Sequence, residues 1–256
     1  MGMKDLSNVY GAFAFQETLN KYGIDLSKKN NKYDWENLCN SERENLSMEF
    51  IETFKEFVSW RIVTRYCNLS EDFMRKYADL VDWVEASSYK TLSPEFIEEF
   101  KDKFDWSDLS QHCEMSKEQL LKYIDRIDWD RAPTYQKKHI DEEVIDAVLA
   151  SSKKDEFNWH GALCNIPMSE EFIKKHAADI DKANKWELVS YYQKLTPEFM
   201  DEFDKKMNWN YISQKQQLTD DFVKSHKSKL NPTWLLKCQT GLSDEMKKEI
   251  GKWKKA

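Results

Sequence analysis

Glycine and proline are scarce in this chain, six and five in 256 residues. So little of either leaves few tight turns and no glycine-rich loop of the kind that cradles a phosphate. No Gly- or Ser-rich stretch cuts the chain into parts. Apolar and polar residues do not alternate at period two, the mark of a half-buried strand, so the expected class is all-α. No run of 18 apolar residues exists to span a bilayer, and Met1 to Tyr22 lacks the charged start, apolar middle and cleavage site of a secretory signal. A soluble, cytoplasmic protein is the expectation. A surplus of Lys and Arg is missing too: the net charge is −7, which disfavours direct binding to nucleic acid or to an anionic membrane.

The usual signs of chemistry are also missing. Cys39, Cys67, Cys113, Cys164 and Cys238 lie far apart, with no C-x-x-C pair and no His at ligand spacing, so reduced, buried thiols are expected and no metal or cofactor is assigned. No phosphate loop, nucleophile elbow, zinc-protease helix or EF-hand loop occurs. The chain is therefore read as non-enzymatic.

What is present is a repeat. Taking as unit start the apolar residue before a Ser, Thr or Asp gives Leu46, Leu69, Leu92, Met115, Ile140, Met168, Leu195, Leu218 and Leu242, at steps of 23, 23, 23, 25, 28, 27, 23 and 24 residues. Such a period means a stacked array. Each start is followed by a helix N-cap residue (Ser47, Ser70, Ser93, Ser116, Asp141, Ser169, Thr196, Thr219, Ser243), with Pro94 and Pro197 in the first helical position. Two places after every cap stands a carboxylate: Glu49, Asp72, Glu95, Glu118, Glu143, Glu171, Glu198, Asp221 and Glu245. In the first turn each opposes the positive end of the helix dipole, by about 0.3–1 kcal/mol.

Apolar residues four, five, eight and twelve places after the start, such as Phe96, Ile97, Phe100 and Phe104, paint one stripe on a helix of about eleven residues. Trp follows at the fourteenth place (Trp60, Trp83, Trp106, Trp129, Trp209), with Trp159, Trp186 and Trp234 filling the same role after insertions, the last displaced two residues by Pro232. A short polar residue usually precedes it, as in Ser59, Asp82, Asp105, Asp128, Asn158, Asn208 and Thr233. This reads as the cap of a second, shorter helix, so each unit is a helical hairpin. About nine hairpins at a period of about 23 residues form a helical-hairpin repeat solenoid over 46–256, one elongated body, with insertions around 150–186. Residues 1–45 read as an end-sealing segment: a helix over Val9 to Tyr22 ended by Gly23, a polar loop from Lys28 to Lys32, and Trp35 in a decayed second half. Lys248 to Lys255 reads as the other cap.

Several residues fill repeat slots and also suit binding. His176 and His226 stand at the eighth place, where Phe stands elsewhere, and are expected to be packed imidazoles. Cys67 and Cys113 share the seventh place after Trp, a packing position. Six after Trp runs the column Tyr66, Tyr89, His112, Tyr135 and Tyr192. It would suit a protein partner if it faced a groove, but the favoured reading places it in the core. Candidate partner-binding residues are therefore this column, the carboxylates Glu95, Glu118, Glu143 and Glu171, and His160 in the irregular middle.

The units LSPEFIEEFKDKFDWSDLS and LTPEFMDEFDKKMNWNYISQKQQL resemble a tandem repeat of uncharacterised proteins of bacteriophages and large DNA viruses, of the form L-S-x-E-F-I, then D-W, then I-S, matched over roughly residues 46 to 246. That family has no established catalytic residues to carry over. The resemblance implies a viral protein that binds or inhibits a host defence factor, and the spaced carboxylates suggest an acidic mimic of nucleic acid as the sharper version. The alternatives are an enzyme or small-ligand protein with its site around Asn158, Trp159, His160 and Trp186, and a structural virion component.

Overall fold

The computed structural model describes residues 15–27, 32–89 and 91–253. Every regular element among them is helical, with no strand, and the helices alternate as the two arms of successive hairpins. The chain falls into two compact units, Met1–Glu114 and Met115–Ala256, so the segment up to residue 45 lies inside the first of them.

In the first unit the hairpins pair Gln16–Lys21 with Lys32–Ser41, Met48–Thr53 with Trp60–Tyr66, Glu71–Lys76 with Trp83–Ser87, and Pro94–Phe100 with Trp106–His112. Of the helix expected over Val9 to Tyr22, the stretch before residue 15 and most of the polar loop lie outside the described residues. Gly23 does end the helix, at φ 68°. Trp35 and Leu38 are buried, so the segment before residue 46 supplies a second-type helix that packs on Trp60–Tyr66.

In the second unit Lys117–Lys122 pairs with Ala132–Tyr135, Glu142–Ala150 with Trp159–Asn165, Glu170–Lys175 and Ala177–Ala183 with Trp186–Tyr192, Pro197–Glu202 with Trp209–Lys215, and Asp220–Ser225 with Pro232–Cys238; Asp244–Trp253 comes last. Within each unit, consecutive second helices pack side by side.

Local chemistry explains the starts. The side chains of Ser47, Ser70, Ser93, Ser116, Asp141, Ser169, Thr196 and Thr219 each accept the backbone N–H three residues on, satisfying a donor the helix leaves orphaned. Asp82, Asp105, Asn158 and Asn208 do the same for second helices, whereas Ser59 makes no such bond.

The first helices are shorter than expected, most of them six or seven residues. After the eighth place the chain tightens into a turn closed by i+3 bonds, as in Leu80 N–H to Tyr77 O and Lys229 N–H to His226 O. The stripe still works as read: Phe96, Ile97, Phe199 and Met200 are fully buried, and Phe104 and Met207 nearly so. Trp83 stacks on Phe100 at 4.6 Å and Trp186 on Phe203 at 5.0 Å, each ring closing over the next hairpin's first helix.

The insertions are absorbed mostly as helix, in Glu142–Ala150 and in Ala177–Ala183, which ends on Asn184 at φ 55°. Two departures from the sequence reading have clear causes. Trp129 precedes its helix, which runs only from Ala132 to Tyr135, because Pro133 offers no N–H to bond back to it. Finally, Asn231 rather than Thr233 caps the last second helix, accepting N–H from Thr233 and Trp234. Pro232 therefore occupies the Trp slot itself, and Trp234 is two places past it.

With that register, the cap-to-slot half of a hairpin spans 13 residues in six hairpins but 18 and 17 in the two with insertions. The half from slot to next cap stays at 10, apart from 12 after Trp35, 12 at Pro133 and 11 at the end.

Candidate functional site

The link from one hairpin to the next is the most repetitive polar feature of both units. Four residues after the Trp slot a hydroxyl accepts the N–H of the next hairpin's second cap: Asp82 to Thr64 at 3.2 Å, Asp105 to Ser87 at 2.8 Å, Asn208 to Ser190 at 2.9 Å and Asn231 to Ser213 at 2.9 Å. Cys39 occupies that place near the N-terminus and accepts from Ser59 N–H at 3.4 Å. Where Pro133 occupies it, Asn158 N–H turns to Trp129 O at 3.1 Å, and a Cβ on Gly161 would stand 2.9 Å from Thr134 Oγ1.

Seven after the slot, the second unit places Gln136, Gln193, Gln216 and Gln239, all buried, with Ile166 in the one remaining hairpin. Each Oε1 accepts the N–H of a unit-start residue: Met115, Met168, Leu195 and Leu218 respectively. Gln193 Nε2 donates to Leu163 O and Ile166 O, Gln216 Nε2 to Ser190 O and Gln193 O, and Gln239 Nε2 to Ser213 O and Gln216 O. Three otherwise orphaned backbone groups are satisfied by one amide, each time. The sequence reading missed this ladder, although the recurrence of Gln at one slot was its signal.

In the first unit Cys67 and Cys113 fill that slot, and both are buried. The donor comes instead from Tyr89, whose hydroxyl bonds Thr64 O at 2.6 Å and Cys67 O at 3.0 Å. Its helix stops at Ser87, two residues early, which lets the ring swing inward. Burial pushes the Tyr89 phenol up to about 12 and the Cys67 and Cys113 thiols to about 11.

The rest of the Tyr column faces outward, against the reading that favoured the core. Tyr66, Tyr135 and Tyr192 are 40%, 53% and 49% exposed, and His112 is exposed as well. The reason is their place at the C-terminal end of a helix whose inward positions, four and seven after the slot, are already taken, by Thr64 and Cys67, Ser110 and Cys113, Pro133 and Gln136, and Ser190 and Gln193. Tyr66 and Tyr192 rim furrows between successive links. Tyr66 and Tyr89 line one of about 330 Å³, Tyr192 one of about 260 Å³ with Cys164 and Gln193, and the links at Gln216 and Gln239 flank one of about 600 Å³. Beside Tyr192, Tyr191 meets Tyr211 edge-on at 5.0 Å, with the Lys215 ammonium 4.4 Å from the Tyr191 ring.

The carboxylate ladder is also outward, all nine members being exposed. Glu143 pairs with Lys117 at 2.6 Å, and Glu118 is held below the usual carboxylate range by its own backbone N–H and the Ser116 hydroxyl. The carboxylates one place after the cap have a different task. Glu71 binds the N–H and hydroxyl of Ser93, Glu170 those of Thr196, and Asp220 those of Ser243, tying one cap to the next.

The chain matches no protein-family model, no curated protein and no solved structure.

The histidines divide as their slots suggest. His176 is buried against Phe172, with Nε2 2.7 Å from Asp146 and Nδ1 3.4 Å from Asp179. His226 stacks on Phe222 at 4.0 Å and on Trp209 at 5.2 Å, and reaches Asp201 at 2.6 Å. Around the irregular middle, Asn158 is a cap, Trp159 is core, the Trp186 indole donates to Asp181, and His160 is exposed. The adjoining 180 Å³ cavity is lined by Trp159 and by the Lys154–Asp179 and Lys182–Asp155 pairs, and His160 is not part of it. Among the described residues no three His, Cys, Asp or Glu side chains gather as a metal would need, and no helix is long and apolar enough to cross a membrane.

Proposed function

We propose that this protein is a non-enzymatic interaction module that binds another protein along the link edge of its hairpins. The observation that carries the reading is the outward column of Tyr66, His112, Tyr135 and Tyr192, with Tyr66 and Tyr192 on furrow rims whose floor amides and carbonyls are already bonded. Tyrosine at such a place offers a rigid apolar ring and a hydrogen-bonding tip, the combination enriched at protein interfaces. The resemblance of the repeat to those of phage and large-virus proteins makes a host defence factor the partner of choice, with the host cytoplasm as its setting. The test is affinity capture with the wild type beside Tyr192→Ser and Tyr135→Ser. Recovery of a defined partner that both variants lose is expected, while equal capture by all three rules the edge out.

The nine exposed carboxylates favour a second reading, acidic mimicry of a nucleic acid in the basic groove of a nuclease. Affinity should then fall steeply between about 50 and 500 mM salt as screening shortens the reach of each charge. Flat salt dependence removes this version and leaves the first standing.

A further inference from the structure

Five of the indoles that open second helices share one arrangement. Trp60, Trp83, Trp106, Trp129 and Trp209 each donate Nε1–H to the carbonyl five residues back, at 2.8, 2.9, 2.8, 2.8 and 3.2 Å. A lysine eleven places into the next unit often covers the ring: Lys103 over Trp83, Lys206 over Trp186 and Lys229 over Trp209, at 5.5, 5.1 and 5.0 Å. The slot is a packed one, with a ring, an acceptor and a lid.

In the last hairpin Pro232 stands in this slot, and a cavity of about 680 Å³ opens there. Two of its lining residues, Lys227 and Trp253, stand where the indole finds its acceptor and its cover elsewhere; Met246 and Ile250, at the fourth and eighth places where rings lie against the indole in other units, do not line it. Lys227 is the residue five back, Leu230 matches Met207, and Glu249, Lys252 and Trp253 come from the seventh, tenth and eleventh places of the next unit. Trp253 thus takes the place of the covering lysine. Its indole Nε1 is buried without a hydrogen-bond partner, and the Lys227 ammonium lies 5.0 Å from its ring.

We infer that this hollow is a docking site for a tryptophan side chain presented by a partner polypeptide. The repeat itself points to the occupant, because the carbonyl five residues back and the cover at the eleventh place hold an indole between them in other hairpins. The inserted ring would stack beside Trp253 and point its N–H at Lys227 O. With a small turn of the Trp253 ring, whose Nε1 is buried, a flanking peptide carbonyl would receive the orphaned N–H, a polar contact that fixes the orientation of a ring seated beside Leu230 and Pro232. The site differs from the link edge and does not depend on it.

N-acetyl-L-tryptophanamide, which carries the side chain between two peptide carbonyls, is the probe, followed by NMR of the Trp253 indole N–H on the full chain. The expected result is a saturable shift of that signal, with at least tenfold weaker binding of N-acetyl-L-leucinamide. Pro232→Trp should fill the slot, raise the unfolding midpoint and abolish binding. No saturable shift with the wild type overturns the assignment, as does undiminished binding to a folded Pro232→Trp. Concentration-dependent dimerisation of the wild type that Pro232→Trp abolishes would seat a second copy in the hollow and overturn the assignment to a partner.

Discussion

The two compact units solve one problem with different chemistry. In both, the carbonyls four and seven places past the Trp slot would be buried and unpaired when the next hairpin stacks. The second unit answers with the Gln193, Gln216 and Gln239 amides, which do not titrate. The first answers once with the Tyr89 hydroxyl, and leaves thiols at Cys67 and Cys113 where glutamine would stand. The backbone demand thus recurs along the repeat, and side chains as different as a glutamine amide and a tyrosine hydroxyl meet it, although Ile166 in the same slot offers no donor.

The largest effect should come from removing a ladder amide. Gln216→Leu leaves Ser190 O, Gln193 O and Leu195 N–H without their partner, and a loss of about 3 kcal/mol in urea unfolding is expected. A loss below about 1 kcal/mol would mean that the links tolerate open backbone groups and that the comparison has no energetic weight.

Alkali should separate the units next. Because the folded Cys67 and Cys113 thiols hold their protons more tightly than free ones, their contribution is full below a pH of about 8.5 and is lost as pH rises toward the folded values of about 11. By pH 10 each thiol should have given up on the order of 2 kcal/mol. Unfolding midpoints at pH 7.5 and 10 check this, and in Cys67→Ala with Cys113→Ala the difference between them should shrink. An unchanged difference would place the alkaline sensitivity elsewhere.

Tyr89→Phe keeps the ring and deletes the hydroxyl, so about 1–1.5 kcal/mol should go, with the far-ultraviolet spectrum unaltered. Smallest of all is Cys39→Ser, which restores the hydroxyl found at Thr64, Ser87, Ser190 and Ser213. It should leave stability within about 0.5 kcal/mol of the wild type, and a larger loss would show that the N-terminal segment does not share the repeat's link.

Much of the fold was legible because it rests on local rules. Caps, first-turn carboxylates, the apolar stripe and the Trp spacing are each readable within one unit, and they place nearly every helix start. Helix ends were harder, since the turn after the eighth place follows from how the chain must reverse to bring Trp onto the next stripe. The Trp234 assignment failed because tryptophan was matched by type, whereas the structure matches by cap, and Asn231 is the cap. The direction of the Tyr column was out of reach for a related reason. Which face of a second helix is buried depends on the Gln and hydroxyl bonds between hairpins, and the bond from Gln193 to Leu163 reaches back 30 residues. Of the candidate site, the residues were named and their outward aspect was not.

The unequal halves of the hairpin bear on how such a chain changes length. Extra residues enter mainly between cap and Trp slot, where Glu142–Ala150 and Ala177–Ala183 coil most of them into additional turns; the link positions beyond are Leu163 and Ile166 after the first and Ser190 and Gln193 after the second. Between the slot and the following cap the length departs from 10 residues by two at most. Long grafted loops and tags are therefore expected to be tolerated at the turn inside a hairpin, while the link side, where the furrows lie, admits only small changes of length.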